Sequence, residues 1–115
     1  MIAHVVLFRP KANLPPADRS ALVEAFAHAL QEIPSIRRSR VGRRVMHGRP
    51  GYEQMMREHY EYIAVLEFDD VNGLEAYLAH PAHRQLADQF FSAFEAALMY
   101  DYQLREGPDG LRDLL

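Results

Sequence analysis

Ile2-Ala3-His4-Val5-Val6-Leu7-Phe8 decides the fold. Both of its alternating sets, Ile2, His4, Val6, Phe8 and Ala3, Val5, Leu7, are largely apolar. Successive side chains of a strand point to opposite faces, so a strand apolar on both sides is covered on both sides. Arg9-Pro10 ends it, and Pro15-Pro16 opens a helix, proline being tolerated in a first turn. There Leu22, Phe26, Ala29, Leu30 and Ile33 recur at the spacing of one buried helical stripe, and Pro34 stops it. Residues 36–47 read as a weaker second strand and Gly48-Arg49-Pro50-Gly51 as a turn. A third strand over 59–68 places Tyr60, Tyr62, Ala64, Leu66 and Phe68 on one face, with Ile63 and Val65 on the other. Asp69-Asp70 can cap a helix over 71–79 that gathers Leu74, Tyr77 and Leu78. His80-Pro81 interrupts it. A longer helix over 82–95 carries Leu86, Phe90 and Phe94, and the last strand spans 97–104. Arg105 to Leu115, with Gly107-Pro108-Asp109-Gly110, reads as a loose tail.

Strand, helix, strand, strand, helix pair, strand is the split βαβ order of an α+β, ferredoxin-like fold. It predicts a four-stranded antiparallel sheet with helices on one face. Helices cover only one side of the doubly apolar strands, so the other side is expected to meet a second copy's sheet in a two-fold homodimer.

The chain has 115 residues, of which 49% are hydrophobic and 25% charged, which suits one globular domain and excludes a disordered chain. No apolar run approaches the roughly 18 residues of a membrane span. Met1 leads straight into the first strand with no basic leader, so a mature cytoplasmic protein without a membrane partner is expected. Zero cysteines exclude disulfides, thiol catalysis and thiolate metal sites. Charge is uneven: six arginines between Arg37 and Arg49 give that stretch +6 and leave −9 on the rest of the chain. Pairing with acids such as Glu61 and Glu67 is the plainest reading of these arginines, and capture of an anionic group the second. Nucleic acid is not an expected partner, because the chain is net acidic at −3 and no recognition motif accompanies the patch.

The opening strand, Ile33-Pro34, Tyr77-Leu78-Ala79-His80-Pro81-Ala82-His83 and Tyr100-Asp101-Tyr102 together resemble the stress-responsive dimeric α/β barrel (Dabb) proteins over residues 1–104. The resemblance implies a dimer whose two sheets close into a barrel, and residues 105–115 as a tail outside the domain. Most of that family has no assigned activity. One enzymatic branch performs an aldol cyclisation of linear polyketides, and the resemblance carries its catalytic tyrosine and histidine onto Tyr77 and His83. Its first-strand histidine falls at His4, and a further pocket histidine falls at Tyr62, a departure that bears on the substrate.

Several residues follow as candidates. His83, as a neutral imidazole, can take a proton from carbon next to a carbonyl. Tyr77 can hydrogen-bond the enolate oxygen, a contribution of about 3 kcal/mol by analogy with oxyanion-hole donors. His4, Tyr62, Phe26 and His80 are the expected walls of an apolar pocket for a small apolar or aromatic carbonyl ligand. No cofactor and no metal are expected, since the histidines lack the ligand number and spacing of a zinc site. The same residues also have an architectural reading, with His80 as a cap, Pro81 as the first helical residue, Tyr77 as core and His4 as a satisfied core histidine. Tyr52 to Arg57, with Met55 and Met56, offers a possible apolar lid. Three functions remain: a stress-response barrel protein with a small-molecule pocket and no established reaction, a cofactor-free cyclase or isomerase, and a quinol-type monooxygenase.

Overall fold

Four strands pair in the order β2-β3-β1-β4, all antiparallel, in a computed structural model that describes residues 1–115. They are β1 (Ile2–Pro10), β2 (Arg38–Arg43), β3 (Tyr62–Phe68) and β4 (Phe94–Gln103), with helices α1 (Pro16–Glu32), α2 (Val71–Ala79), α3 (Pro81–Ala93) and α4 (Gly107–Leu114). A short 3₁₀ turn covers Glu53–Met55. The fold is the ferredoxin-like α+β arrangement, with β1 central because it is the strand apolar on both faces.

Register sets which side chains share the helix side of the sheet. Ser39, Leu66, His4 and Asp101 form one cross-strand row. Val41, Ala64, Val6 and Met99 form the next, and Arg43, Tyr62, Phe8 and Ala97 a third. Above the first row Leu66 and Phe68 pack with Ala29 and Ile33 of α1, Leu74 and Tyr77 of α2, and Ala82 and Leu86 of α3 into the buried core. Phe68 is wholly enclosed, and burying such a side chain stabilises by about 1.5–3 kcal/mol.

The opposite face carries Val5, Leu7, Ile63, Val65, Leu98, Tyr100 and Tyr102 and has no helix over it. The Cα trace is only 16 Å deep along its shortest axis, the depth of two layers. Tyr100 and Tyr102 are 54% and 51% exposed there.

Several boundaries differ from the sequence expectation. The second strand stops at Arg43 and the third starts at Tyr62, because the ladder between them ends at the Arg43–Tyr62 pair. The residues after Leu104 are not a loose tail. Gly107 adopts a positive φ of 64° and Pro108 occupies the first turn of α4, where a missing N–H costs nothing.

Three of the six arginines of the run have polar side-chain partners. Arg37 donates to Asp69 at 2.8 Å and Arg40 to Glu67 at 3.3 Å. Arg44 contacts His59 Nδ1 at 2.8 Å, and Glu61 contributes only its backbone carbonyl, to the Arg44 N–H.

Candidate active site

The α2–α3 break builds the site. Asp70 caps α2 by accepting the Gly73 N–H at 2.9 Å. After nine helical residues the chain reaches His80, whose backbone turns extended (φ −72°, ψ 140°) ahead of Pro81, as a residue before proline prefers. His80 then caps α3: its Nδ1 accepts the Ala82 N–H at 3.0 Å. The second helix starts at a new angle. Tyr77, near the end of α2, and His83, in the first turn of α3, come together with ring centroids 4.6 Å apart and planes at 63°.

Tyr77 also meets His4 of β1, centroids 5.7 Å apart, so the phenol ring contacts two imidazoles. It also packs on Phe68 at 5.3 Å. Tyr77 is 3% exposed and His4 7%. His4 Nδ1 lies 2.6 Å from Asp101 Oδ1, its direct cross-strand partner on β4. A carboxylate only accepts, so Nδ1 carries the proton of this hydrogen bond and Nε2 is the ring nitrogen left free.

All three groups open onto one cavity of about 460 Å³ between the helices and the sheet. Its floor is Val6, Phe8, Ala64, Leu66, Val41 and Met99. Its walls are Leu22, Val23 and Phe26 from α1 and Leu86, Ala87, Phe90, Phe91 and Phe94 from α3 and the start of β4. Leu78 completes the lining. His4 and His83 are the only imidazoles and Tyr77 the only hydroxyl on it. The hydroxyl makes no hydrogen bond within the chain and is not sealed off, so it is free to bond a ligand oxygen.

The electrostatics suit these groups to proton transfer. Burial pushes the Tyr77 phenol up to about 12, and the nearby Asp101 charge adds to the effect, so Tyr77 stays a donor. His83 is lowered from the usual histidine value, first by burial and then by the neighbouring His4, with the Leu78 backbone pulling the other way. A neutral imidazole is therefore the form present at neutral pH, with a lone pair able to accept a proton.

Of the six residues singled out from sequence, His4, Phe26, Tyr77 and His83 lie on the cavity lining, and Tyr62 and His80 do not. Tyr62 stacks behind Phe8 at 5.7 Å, one ring removed from the cavity, and carries the Arg43 guanidinium on its ring. His80 is held in its cap. The expected lid is absent from the lining too: Met55 and Met56 are 70% and 57% exposed, and the loop folds on itself through His47, Tyr52 and Glu53. Asp101, Met99 and the Phe90–Phe94 aromatic wall were not singled out from sequence. The helical periodicity holds a signal for the last, but the His4–Asp101 pairing depends on strand register.

Three comparisons place the chain among known proteins. Olivetolic acid cyclase of Cannabis sativa is 23% identical over 105 residues, covering 91% of this chain and 98% of the cyclase. A hydroxynitrile lyase from Passiflora edulis superposes with a TM-score of 0.76 at 16% identity, over 92% of this chain and 94% of the lyase. A dimeric ferredoxin-like protein of unknown function from Thermobifida fusca superposes with a TM-score of 0.67 at 20% identity, over 90% of both chains. The family model of the stress responsive A/B barrel domain (Dabb) matches residues 2–104, and the chain belongs to that family.

Proposed function

We propose that this Dabb protein acts as a homodimer that binds a small, mainly apolar carbonyl compound in the helix–sheet cavity. There it makes or breaks a carbon–carbon bond next to the carbonyl without a cofactor. The observation that carries this reading is the Tyr77 phenol in contact with the His4 and His83 imidazoles at the polar end of an otherwise apolar cavity.

In the bond-forming direction His83 takes the proton from a carbon acid beside a carbonyl. Tyr77 donates a hydrogen bond to the oxygen on which the enolate charge gathers. The carbon electron pair then attacks a second carbonyl carbon, whose π electrons become an alkoxide, and the proton on His83 passes to that alkoxide. The reverse sequence cleaves the same bond. His4, oriented by Asp101, offers Nε2 to hold the ligand. The likeness to olivetolic acid cyclase in sequence and to a hydroxynitrile lyase in fold supports this class, since a ring closure and the cleavage of a hydroxynitrile both fit carbon–carbon bond chemistry at a carbonyl or its adduct.

The test is turnover by the full chain of a linear β-polyketide thioester and of an aryl cyanohydrin, followed by mass spectrometry. Product is expected without added cofactor, and His83→Ala should lower the rate at least 100-fold. Oxygen uptake with an activated phenol as the only turnover would instead assign a quinol-type monooxygenase. No turnover, with the His83 and Tyr77 NMR signals unmoved by every compound, would leave a structural or partner-binding dimer and overturn the proposal.

A further inference from the structure

The cavity has a second end. Along β1 it runs from His4 to Phe8, four residues, or about 13 Å at the rise of an antiparallel strand. His4, Tyr77 and His83 occupy one end. The other end is aromatic, built by Phe8, Phe90 and Phe94, with Phe8 4.6 Å from Phe94 and 5.6 Å from Phe90.

Arg43 stands beside the cavity at its β2 edge. It shares the cross-strand row of Tyr62 and Phe8 on the helix side of the sheet, two residues beyond the cavity-lining Val41. Its guanidinium lies 5.8 Å from the centre of the Tyr62 ring, and Tyr62 stacks on Phe8 at 23° between planes. Arg9, Arg37 and Arg40 each meet a carboxylate, whereas Arg38, Arg43, Arg44 and Arg49 meet none, and of these four only Arg43 stands on the helix side of β2. The guanidinium lies over the Tyr62 ring and its N–H donors meet no acceptor of the chain, and a guanidinium with free donors matches a carboxylate. Arg43 also lies on the face opposite the uncovered side of the sheet, so a sheet-to-sheet dimer leaves it accessible.

We infer that Arg43 is an anion-binding subsite at the β2 edge of the cavity, next to Val41. The ligand it fits is an elongated carbonyl compound with the carbonyl at the Tyr77–His83 end, an apolar middle and a terminal carboxylate. This rests on the cavity being the ligand site proposed above and names the substrate class it takes. The apolar floor of Val6, Ala64 and Met99 suits the middle of such a molecule, and no group on it would pair a charge placed there.

Titration calorimetry with 9-oxodecanoate, its methyl ester and decanoate tests the inference. Extended, 9-oxodecanoate spans about 10 Å between its two functional groups, from bond lengths like those of a peptide chain. The wild-type chain should bind the acid at least tenfold more tightly than the ester. Arg43→Gln should reduce that preference to about onefold while leaving ester affinity unchanged, and Arg43→Lys should keep part of it. Arg43 is exposed on an edge strand, and an unchanged melting temperature checks that the variants fold. Equal acid-to-ester ratios in wild type and Arg43→Gln would overturn the subsite while the cavity reading stood. Failure of the wild type to bind either 9-oxo compound would overturn both. Decanoate binding as tightly as 9-oxodecanoate would show that the carbonyl end is not engaged, overturning the ligand class.

Discussion

The Tyr77 ring meets the His83 imidazole edge-on at 4.6 Å, across a helix break that contains a proline. Six residues apart on an unbroken helix, two side chains point in widely different directions at 100° per residue. The extended His80 and Pro81 re-aim the second of them. The break that looks like a defect in the helix is what gives a donor and a base one common pocket.

That pairing predicts a one-sided pH profile. His83 is lowered by burial and by His4, so activity should fall only as pH drops below the usual histidine range, when the base becomes charged. Tyr77, near 12, should give no alkaline limb below about pH 11. Stability follows the same sign. The folded state holds fewer protons on His83 than the unfolded state below about pH 6.5, so stability is full above that value and falls as pH drops through the lowered one. Tyr77 works oppositely, with stability full below about pH 10 and lost as pH rises towards 12. NMR titration of the His83 ring protons, beside pH-dependent melting, checks both. A His83 midpoint above 6.5 would contradict the profile.

Removing one oxygen should separate packing from chemistry. Tyr77→Phe keeps the ring contacts with Phe68, His4 and His83 and sacrifices no hydrogen bond within the chain. Stability should change by under about 1 kcal/mol, while turnover falls about 10²–10³-fold, as for loss of an oxyanion donor. Thermal melting with initial rates reads both quantities. An active Tyr77→Phe would assign Tyr77 to the core alone.

The sheet was legible because β1 is apolar at both alternating sets, which forces a central position and a covered second face. The helix break was legible because His80-Pro81 is a local signal. Register was not. His4 and Asp101 are 97 residues apart, and only the β1–β4 ladder makes them cross-strand partners. The same ladder logic moved Tyr62 off the cavity: its face was read correctly from alternation, but Phe8 fills the position between it and the cavity. The helix at Gly107–Leu114 was hidden by its Gly-Pro start, since a proline in a first turn and a proline in a loose tail look alike in sequence.

His80 provides a contrast with its neighbour His83. Its Nδ1 satisfies the Ala82 N–H, and its ring does not line the cavity. His80→Ala should cost about 1 kcal/mol, the usual value for a lost N-cap, and His80→Asn should restore most of it. Affinity for a cavity ligand should stay within about twofold in His80→Asn, which keeps α3 in place. Denaturant midpoints give the first comparison and calorimetry the second. A large affinity loss in a stable His80→Asn chain would put the ring back in the ligand site.

The uncovered sheet face yields the last prediction. Val5 and Val65 are cross-strand partners on β1 and β3, at the middle of a face that also presents Leu7, Ile63, Leu98 and Tyr100. Central strands that are apolar on a side with no helix need a cover, and a second copy supplies an identical apolar face through a two-fold axis. An interface of about 800 Å² per partner, enough for a stable dimer, is about a tenth of this chain's 8272 Å² surface. Sedimentation at micromolar concentration should give the mass of two chains. Val65→Asp should give one, because the new carboxylate would be desolvated against the partner's valines with nothing to pair it. In the separated chain that carboxylate faces water, so circular dichroism should show the fold retained. A wild-type monomer would remove the dimer, and a dimeric Val65→Asp would move the interface off this face.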